Sequence, residues 1–146
     1  MDQSIQNFVS KKKIAIVGAS RDCNKFGNSA AKELQARGYE VFYVHPEVNE
    51  IEGQPAYPNL EAIKDKVESV WISVSAEHGE AVLRDAAAAG LKNVWLQQGA
   101  SNPELVELGK ELNLELVAGK CILMYAEPVG SFHKFHQVIW KLIGQY

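Results

Sequence analysis

The chain has 146 residues, of which 47% are hydrophobic and 23% charged, with a formal net charge of −3; this suits one globular domain with a sizeable core. The mildly acidic balance excludes the basic, phosphate-coating surface that nucleic acids require. Cys23 and Cys121 stand far apart without CxxC spacing, and no apolar run reaches the length of a membrane span or a signal peptide, so a reduced cytoplasmic setting is expected, with neither nucleic acid nor membrane as partner.

Residues 1–11 read as a short polar arm in which Phe8 and Val9 pack locally. Residues 14–17 predict the first strand and 28–37 the first helix, stopped by Gly38. The second strand is expected at 40–44. The proline-bearing stretch 45–58 then reads as one long loop within the fold, followed by a short helix at 59–66. Further strands are expected at 69–74, 93–97 and 114–117. Helices are expected between and after them at 77–89, 103–112 and 131–143, with Gly90 and Asn113 as stops. Ser101-Asn102-Pro103-Glu104 has the spacing of a capping box with proline in the first turn. The strand runs are rich in Val, Ile, Leu, Tyr and Trp without polar alternation, so both their faces want burial. Strand and helix alternating at this spacing imply right-handed crossovers. The expected architecture is a single α/β, Rossmann-like, doubly wound domain: a mainly parallel five-stranded sheet with helices on both faces.

Open parallel sheets bind ligands outside the carboxyl ends of their strands, at the point where the strand order reverses. The residues expected there are Gly18-Ala19-Ser20, His45-Pro46, Ser73-Val74-Ser75, Gln97-Gln98-Gly99 and Gly119-Lys120-Cys121. They are small, neutral and hydrogen-bonding, and they offer neither a carboxylate pair nor a metal-ligand cluster. Gly18 lets backbone approach a ligand closely, and Gly27 with Asn28 opens a helix whose free N–H groups attract anions. Ser20 adds a hydroxyl, and Lys25 and Arg21 add mobile positive charge; a phosphate is the natural occupant, although the same glycines would serve a plain tight turn. A dinucleotide such as NAD fits less well. Eight residues separate Gly18 from Gly27, so no GxGxxG is present. The second strand ends in Tyr43-Val44-His45-Pro46 rather than in an acidic residue, with Glu47 lying beyond the proline. No GxxxxGK[ST] P-loop occurs.

The segments IAIVGAS, KFGN, VFYVHP, GQPAYPNLEAI, VWISVSAEH, VWLQQGA and GKCILM, in this order, resemble the small stand-alone coenzyme A-binding proteins. Those are in turn similar to the N-terminal domain of the succinyl-CoA synthetase α subunit. The resemblance runs from about Lys12 into the C-terminal helix. It implies a chain that holds CoA or an acyl-CoA across the strand ends, with Gly18, Ala19, Ser20 and Lys25 in phosphate-contacting positions. It places His45 and Pro46 by the nucleotide, Ser73, Val74 and Ser75 along the adenosine or pantetheine side, and Gln97 and Gly99 nearer the thiol arm. A cysteine at the position of Cys121 would approach that arm. The apolar surroundings of Val74 and Leu96 suit pantetheine.

Catalysis by this chain alone is not expected. The phosphorylated histidine of the synthetase belongs to a second domain that would begin where this sequence stops. His78 sits in the first turn of a helix, whose positive dipole end disfavours imidazolium, and reads as structural or solvent-facing. His133 and His136 share a face of the last helix, and no third metal ligand stands near them in sequence. Ser75 reads first as a helix N-cap. Cys121 reads as a small buried hydrophobe, with a mixed disulfide to CoA as the chemical alternative. Three functions therefore stay open: a CoA-binding module, a CoA-binding component that serves a separate catalytic chain, and an NAD(H)-binding oxidoreductase or redox sensor. A homodimer through the last helix and Trp140 is a further option.

Overall fold

The computed structural model describes residues 3–19 and 26–126. Helix α1 (Gln3–Val9) leads into β1 (Lys13–Val17), α2 (Phe26–Ala36), β2 (Glu40–Val44), β3 (Glu50–Ile51) and β4 (Gln54–Tyr57). A 3-10 turn (Glu61–Ile63) precedes β5 (Ser69–Ile72), α3 (Ala76–Ala88), β6 (Asn93–Gln97), α4 (Pro103–Glu111) and β7 (Glu115–Lys120). A second 3-10 turn (Ile122–Met124) follows. The expected last helix, with His133, His136 and Trp140, lies outside the described residues, and no described helix is long and apolar enough to cross a membrane.

The strands form one sheet in the order β3-β4-β2-β1-β5-β6-β7, parallel throughout except for the antiparallel β3–β4 pair. The Rossmann-like α/β architecture is therefore present, with seven strands where five are expected. The two additional strands lie in the stretch 45–58, read from sequence as a single loop. Ile51 pairs with Gln54 across a two-residue turn, Glu52-Gly53, with φ of 54° and 76°. Two positive φ values in a row are the requirement of a type I′ hairpin turn. Gly53 meets it freely, whereas Glu52 costs about 1 to 2 kcal/mol there. The Glu52 carboxylate is tied on the far side of the chain, accepting from Asn28 Nδ2 at 3.1 Å and pairing with Lys32 Nζ at 3.2 Å. These contacts, led by the Asn28 bond, hold its pKa below the ordinary carboxylate value and latch the hairpin to α2.

Side chains alternate across the sheet. Ile14, Ile16, Tyr43, Trp71 and Trp95 face α1, α2 and the second 3-10 turn. Ala15, Val17, Val70, Ile72, Val94 and Leu96 face α3, α4 and the first 3-10 turn. Trp71 and Trp95 pair in register and are fully buried, as the sequence predicts. Each indole N–H finds an acceptor, Gln97 Oε1 at 3.0 Å for Trp71 and the Lys120 carbonyl at 2.9 Å for Trp95. The N-terminal arm is a helix rather than a polar tail. Its Phe8 is 1% exposed and packs edge-on against Trp95 at 5.2 Å between ring centres, a contact across the chain rather than a local one. The N-cap of α4 is Asn102, whose Oδ1 accepts from Leu105 N at 2.8 Å, and not Ser101 of the expected capping box. The last strand starts one residue later and runs three further than expected, through a bulge at which Gly119, at φ 76°, is the extra residue between the pairs Leu96–Ala118 and Gln97–Lys120. Buried Arg37 at the end of α2 donates from Nη1 to the carbonyls of Leu123 (3.0 Å) and Ala126 (2.6 Å), clamping the second 3-10 turn to that face.

If α1 is part of the core rather than an arm, Phe8→Ala lowers unfolding stability by about 3 kcal/mol. Urea titration should show this as a lower midpoint at an unchanged slope; a midpoint like that of the unaltered chain would return the segment to the surface.

Candidate functional site

From β1 the chain proceeds outward through β2 and β4; it then returns to the other side of β1 with β5. The strand order thus reverses between β1 and β5, which is where a doubly wound sheet opens its crevice. A cavity of about 470 Å³ occupies that point, lined by the ends of β1 (Val17, Gly18, Ala19), β2 (Val44, His45, Pro46) and β5 (Ser73, Val74, Ser75). The first turns of two helices complete it, with Phe26 and Gly27 from α2 and His78 from α3.

Close backbone packing sets this opening. Gly18 has φ of 133°, and a Cβ there would stand 2.6 Å from the Ser73 carbonyl oxygen; a Cβ on Gly27 would stand 2.5 Å from the Gly18 carbonyl oxygen. The Ser73 N–H in turn donates to the Val17 carbonyl at 2.7 Å. The two glycines therefore allow the ends of β1, β5 and α2 to touch, beyond the close ligand approach expected of Gly18 from sequence. In consequence the N-terminal ends of α2 and α3 converge on one cavity, and both present the positive end of a helix dipole to it. Helix α2 begins at Phe26, two residues before the expected start, and Asn28 is fully buried with its amide committed to Glu52.

The polar side chains at the rim are held by short local bonds. His45 Nδ1 accepts from the backbone N–H groups of Glu47 (3.0 Å) and Val48 (3.2 Å), so the neutral ring carries its proton on Nε2. Ser75 occupies the N-cap position of α3, but its hydroxyl makes no capping bond and lies 2.9 Å from His78 Nδ1. A second cavity of about 700 Å³ shares His45 and Pro46 with the first and continues under the hairpin, where Glu47, Glu50 and Glu52 line it. Its carboxylates make it a poor neighbour for anions.

Of the residues singled out in the sequence, Gly18, Ala19, Gly27, His45, Pro46, Ser73, Val74 and Ser75 come together in the first cavity. Ser20 and Lys25, with Arg21 and Cys23, lie outside the described residues. Gln97, Gly99 and Cys121 do not line this cavity. Gln97 is 2% exposed, and its Oε1 holds Trp71 Nε1 and the Ile122 N–H (3.1 Å). Gly99 is an exposed turn residue at φ 92°. Cys121 is buried in the core on the α1/α2 face of the sheet, where burial pushes its thiol pKa up, opposed mainly by the Gln97 amide. The His78 side chain is 69% exposed, in keeping with the solvent-facing expectation, and it also lines the cavity; its place three residues after the N-cap of the helix that follows β5 is the available signal. Among the described residues no group of three or more His, Cys, Asp or Glu could hold a metal ion.

Residues 12–127 match the family described as CoA binding domain. The chain belongs to that family. It is 29% identical over 137 residues to the ADP-forming acetate–CoA ligase I of Archaeoglobus fulgidus, covering 87% of this chain and 20% of the ligase. It is 25% identical over 126 residues to the α subunit of the ADP-forming acetate–CoA ligase II of Pyrococcus furiosus, covering 79% of this chain and 28% of that subunit. The chain thus spans between a fifth and a third of the length of these ligases. Among solved structures, a hypothetical protein from Pyrococcus horikoshii OT3 superposes with a TM-score of 0.76 at 33% identity, over 84% of this chain and 87% of that one.

If the glycine at the end of β1 is required by packing, Gly18→Ala forces both a strained φ and a backbone clash, and it lowers stability by about 3 kcal/mol. Thermal unfolding checks this; a melting temperature within a degree or so of the unaltered protein would contradict the packing argument.

Proposed function

We propose that the chain binds coenzyme A or an acyl-CoA, with the diphosphate over the β1–α2 connection, and that it carries no complete catalytic site of its own. The observation that carries this reading is the convergence of two helix N-termini on a cavity at the switch point of the sheet, in a chain that belongs to a CoA-binding domain family. A diphosphate needs oriented N–H donors and one or two cations. The helix ends supply the donors, and Lys25 and Arg21, in the same connection, are the cations assigned here. In a doubly wound fold the adenosine half turns toward the end of the second strand, here His45 and Pro46. The pantetheine arm then leaves past Ser73, Val74 and Ser75. Gln97, Gly99 and Cys121 are assigned to the far end of that arm or to its support. A cytoplasmic setting accords with this ligand.

The test is thermal stabilisation by CoA, acyl-CoAs, NAD(H) and ATP. CoA and its thioesters should raise the melting temperature in a saturable way and NAD(H) should not. Lys25→Ala should weaken CoA binding about tenfold or more, the loss of one charge-assisted contact of about 1.5 to 3 kcal/mol. Stabilisation by NAD(H) in preference to CoA would overturn the reading, and an affinity unchanged in Lys25→Ala would overturn the placement of the diphosphate.

The likeness to part of a ligase α subunit favours a second reading, in which the chain holds CoA for a separate catalytic chain. In that case CoA thioester should accumulate only when a ligase chain carrying the remaining domains is added; thioester formed by neither mixture nor single chain would leave the binding module as the better account.

A further inference from the structure

We propose that His78 is the proton-linked cation of this cavity. A diphosphate-bearing ligand arriving at the mouth draws a proton onto its imidazole, so that binding takes up protons and tightens as the pH falls. This rests on the diphosphate placement argued above.

Among the described residues the cavity lining contains two imidazoles and no carboxylate. The two rings are not equivalent. His45 Nδ1 is occupied by two backbone N–H donors, both of which a proton at that atom would evict. His78 Nδ1 faces the Ser75 hydroxyl at 2.9 Å, and a hydroxyl can donate to a neutral ring or rotate to accept from an imidazolium. The His78 side chain is 69% exposed, so proton exchange with solvent is unobstructed.

The charges around His78 oppose one another before a ligand binds. Glu77 Oε1 lies 3.9 Å from Nδ1, and the ring stands in the first turn of α3, at the positive end of that helix. His45 faces it from the end of β2 across the cavity. Further along α3, Glu80 and Arg84 satisfy each other at 3.1 Å. The charges of the elements packed on α3, Glu104, Glu107, Lys110 and Glu111 of α4 and the Glu61–Lys64 pair of the first 3-10 turn, do not line the cavity. A bound diphosphate adds negative charge on the side where, among the described residues, no carboxylate lines the cavity, and so favours the protonated ring. The proton comes from solvent and is bound at the imidazole without any covalent change in the ligand.

The experiment is isothermal titration of the full chain with dephospho-CoA between about pH 5.5 and about pH 8, in buffers of different ionisation enthalpy. Dephospho-CoA keeps the diphosphate but lacks the 3′-phosphomonoester, whose own second ionisation near pH 6 would oppose the effect. Affinity should rise about two- to fivefold toward acid pH, the range for a partly exposed charge pair, and the buffer dependence should report proton uptake. In His78→Gln both the slope and the uptake should vanish. In His78→Lys binding should be tight at both ends of the range, a rescue that a merely structural histidine would not give. In His45→Gln the affinity should change at every pH while the slope persists. Binding that is independent of pH, or a slope and uptake that survive in His78→Gln, would overturn this proposal alone. Failure of both CoA and dephospho-CoA to bind at any pH would overturn the site reading together with it.

Discussion

The molecule is organised by a backbone contact at one point: Gly18 at the end of β1 lies against the Ser73 carbonyl at the end of β5, and Gly27 in the first turn of α2 lies against the Gly18 carbonyl. A side chain at either position would push apart elements that pack here with no atom between them. Because the contact joins the two halves of a sheet whose strand order reverses there, it also fixes where the crevice opens and which helix ends face it. Fold and site therefore share one constraint. The dipoles of α2 and α3 are brought to bear on the same space only as long as three backbones stay in contact.

The electrostatics follow from that geometry. The polar part of the described cavity wall is backbone, hydroxyls and imidazoles, set among apolar side chains, so any pull it exerts on an anion has to come from oriented amides rather than from a fixed charge. Glu47, Glu50 and Glu52 are gathered on the other side of His45 and Pro46, under the hairpin, and the most enclosed of them, Glu52, is neutralised by Lys32 and held by Asn28. Asn28 stands in the first turn of α2, one residue past the packing glycine. The hairpin thus braces the helix whose N-terminus faces the cavity while keeping its own negative charge turned away.

Much of this was legible in the sequence, and the parts that were not have physical reasons. Unbroken apolar runs place β1, β2, β5 and β6, and the glycines and serines at their ends mark the crevice. The β3–β4 hairpin escapes because its strands are two and four residues long. Pro55 and three glutamates obscure any apolar signal there, and its turn puts Glu52 where glycine or asparagine is the usual signal. Helix α1 escapes because only Ile5 and Phe8 of its seven residues are buried, too few to give a period. Asn102 displaces Ser101 as the cap because local backbone geometry, and not composition, selects the side chain that reaches the N3 amide. For His78 the sequence offers only the helix dipole and the adjacent Glu77. Its bond to Ser75 and its place at the cavity mouth depend on the turn that follows β5, which spacing does not specify.

The far side of the sheet explains why sequence position at a strand end is not enough to make a site residue. Gln97 ends β6 much as Ser73 ends β5, yet it is turned into the core, where one carboxamide oxygen satisfies both the Trp71 indole and the amide that begins the second 3-10 turn. The polar end of β6 therefore serves burial. Cys121 follows the same logic, enclosed beside Gln97 with its thiol pushed toward the neutral form by burial. A neutral, buried thiol is a poor nucleophile. The two ends of the crevice are thus built for different tasks: the β1, β2 and β5 ends leave backbone and imidazoles accessible, and the β6 and β7 ends spend their polar groups on holding two tryptophans and a turn in place.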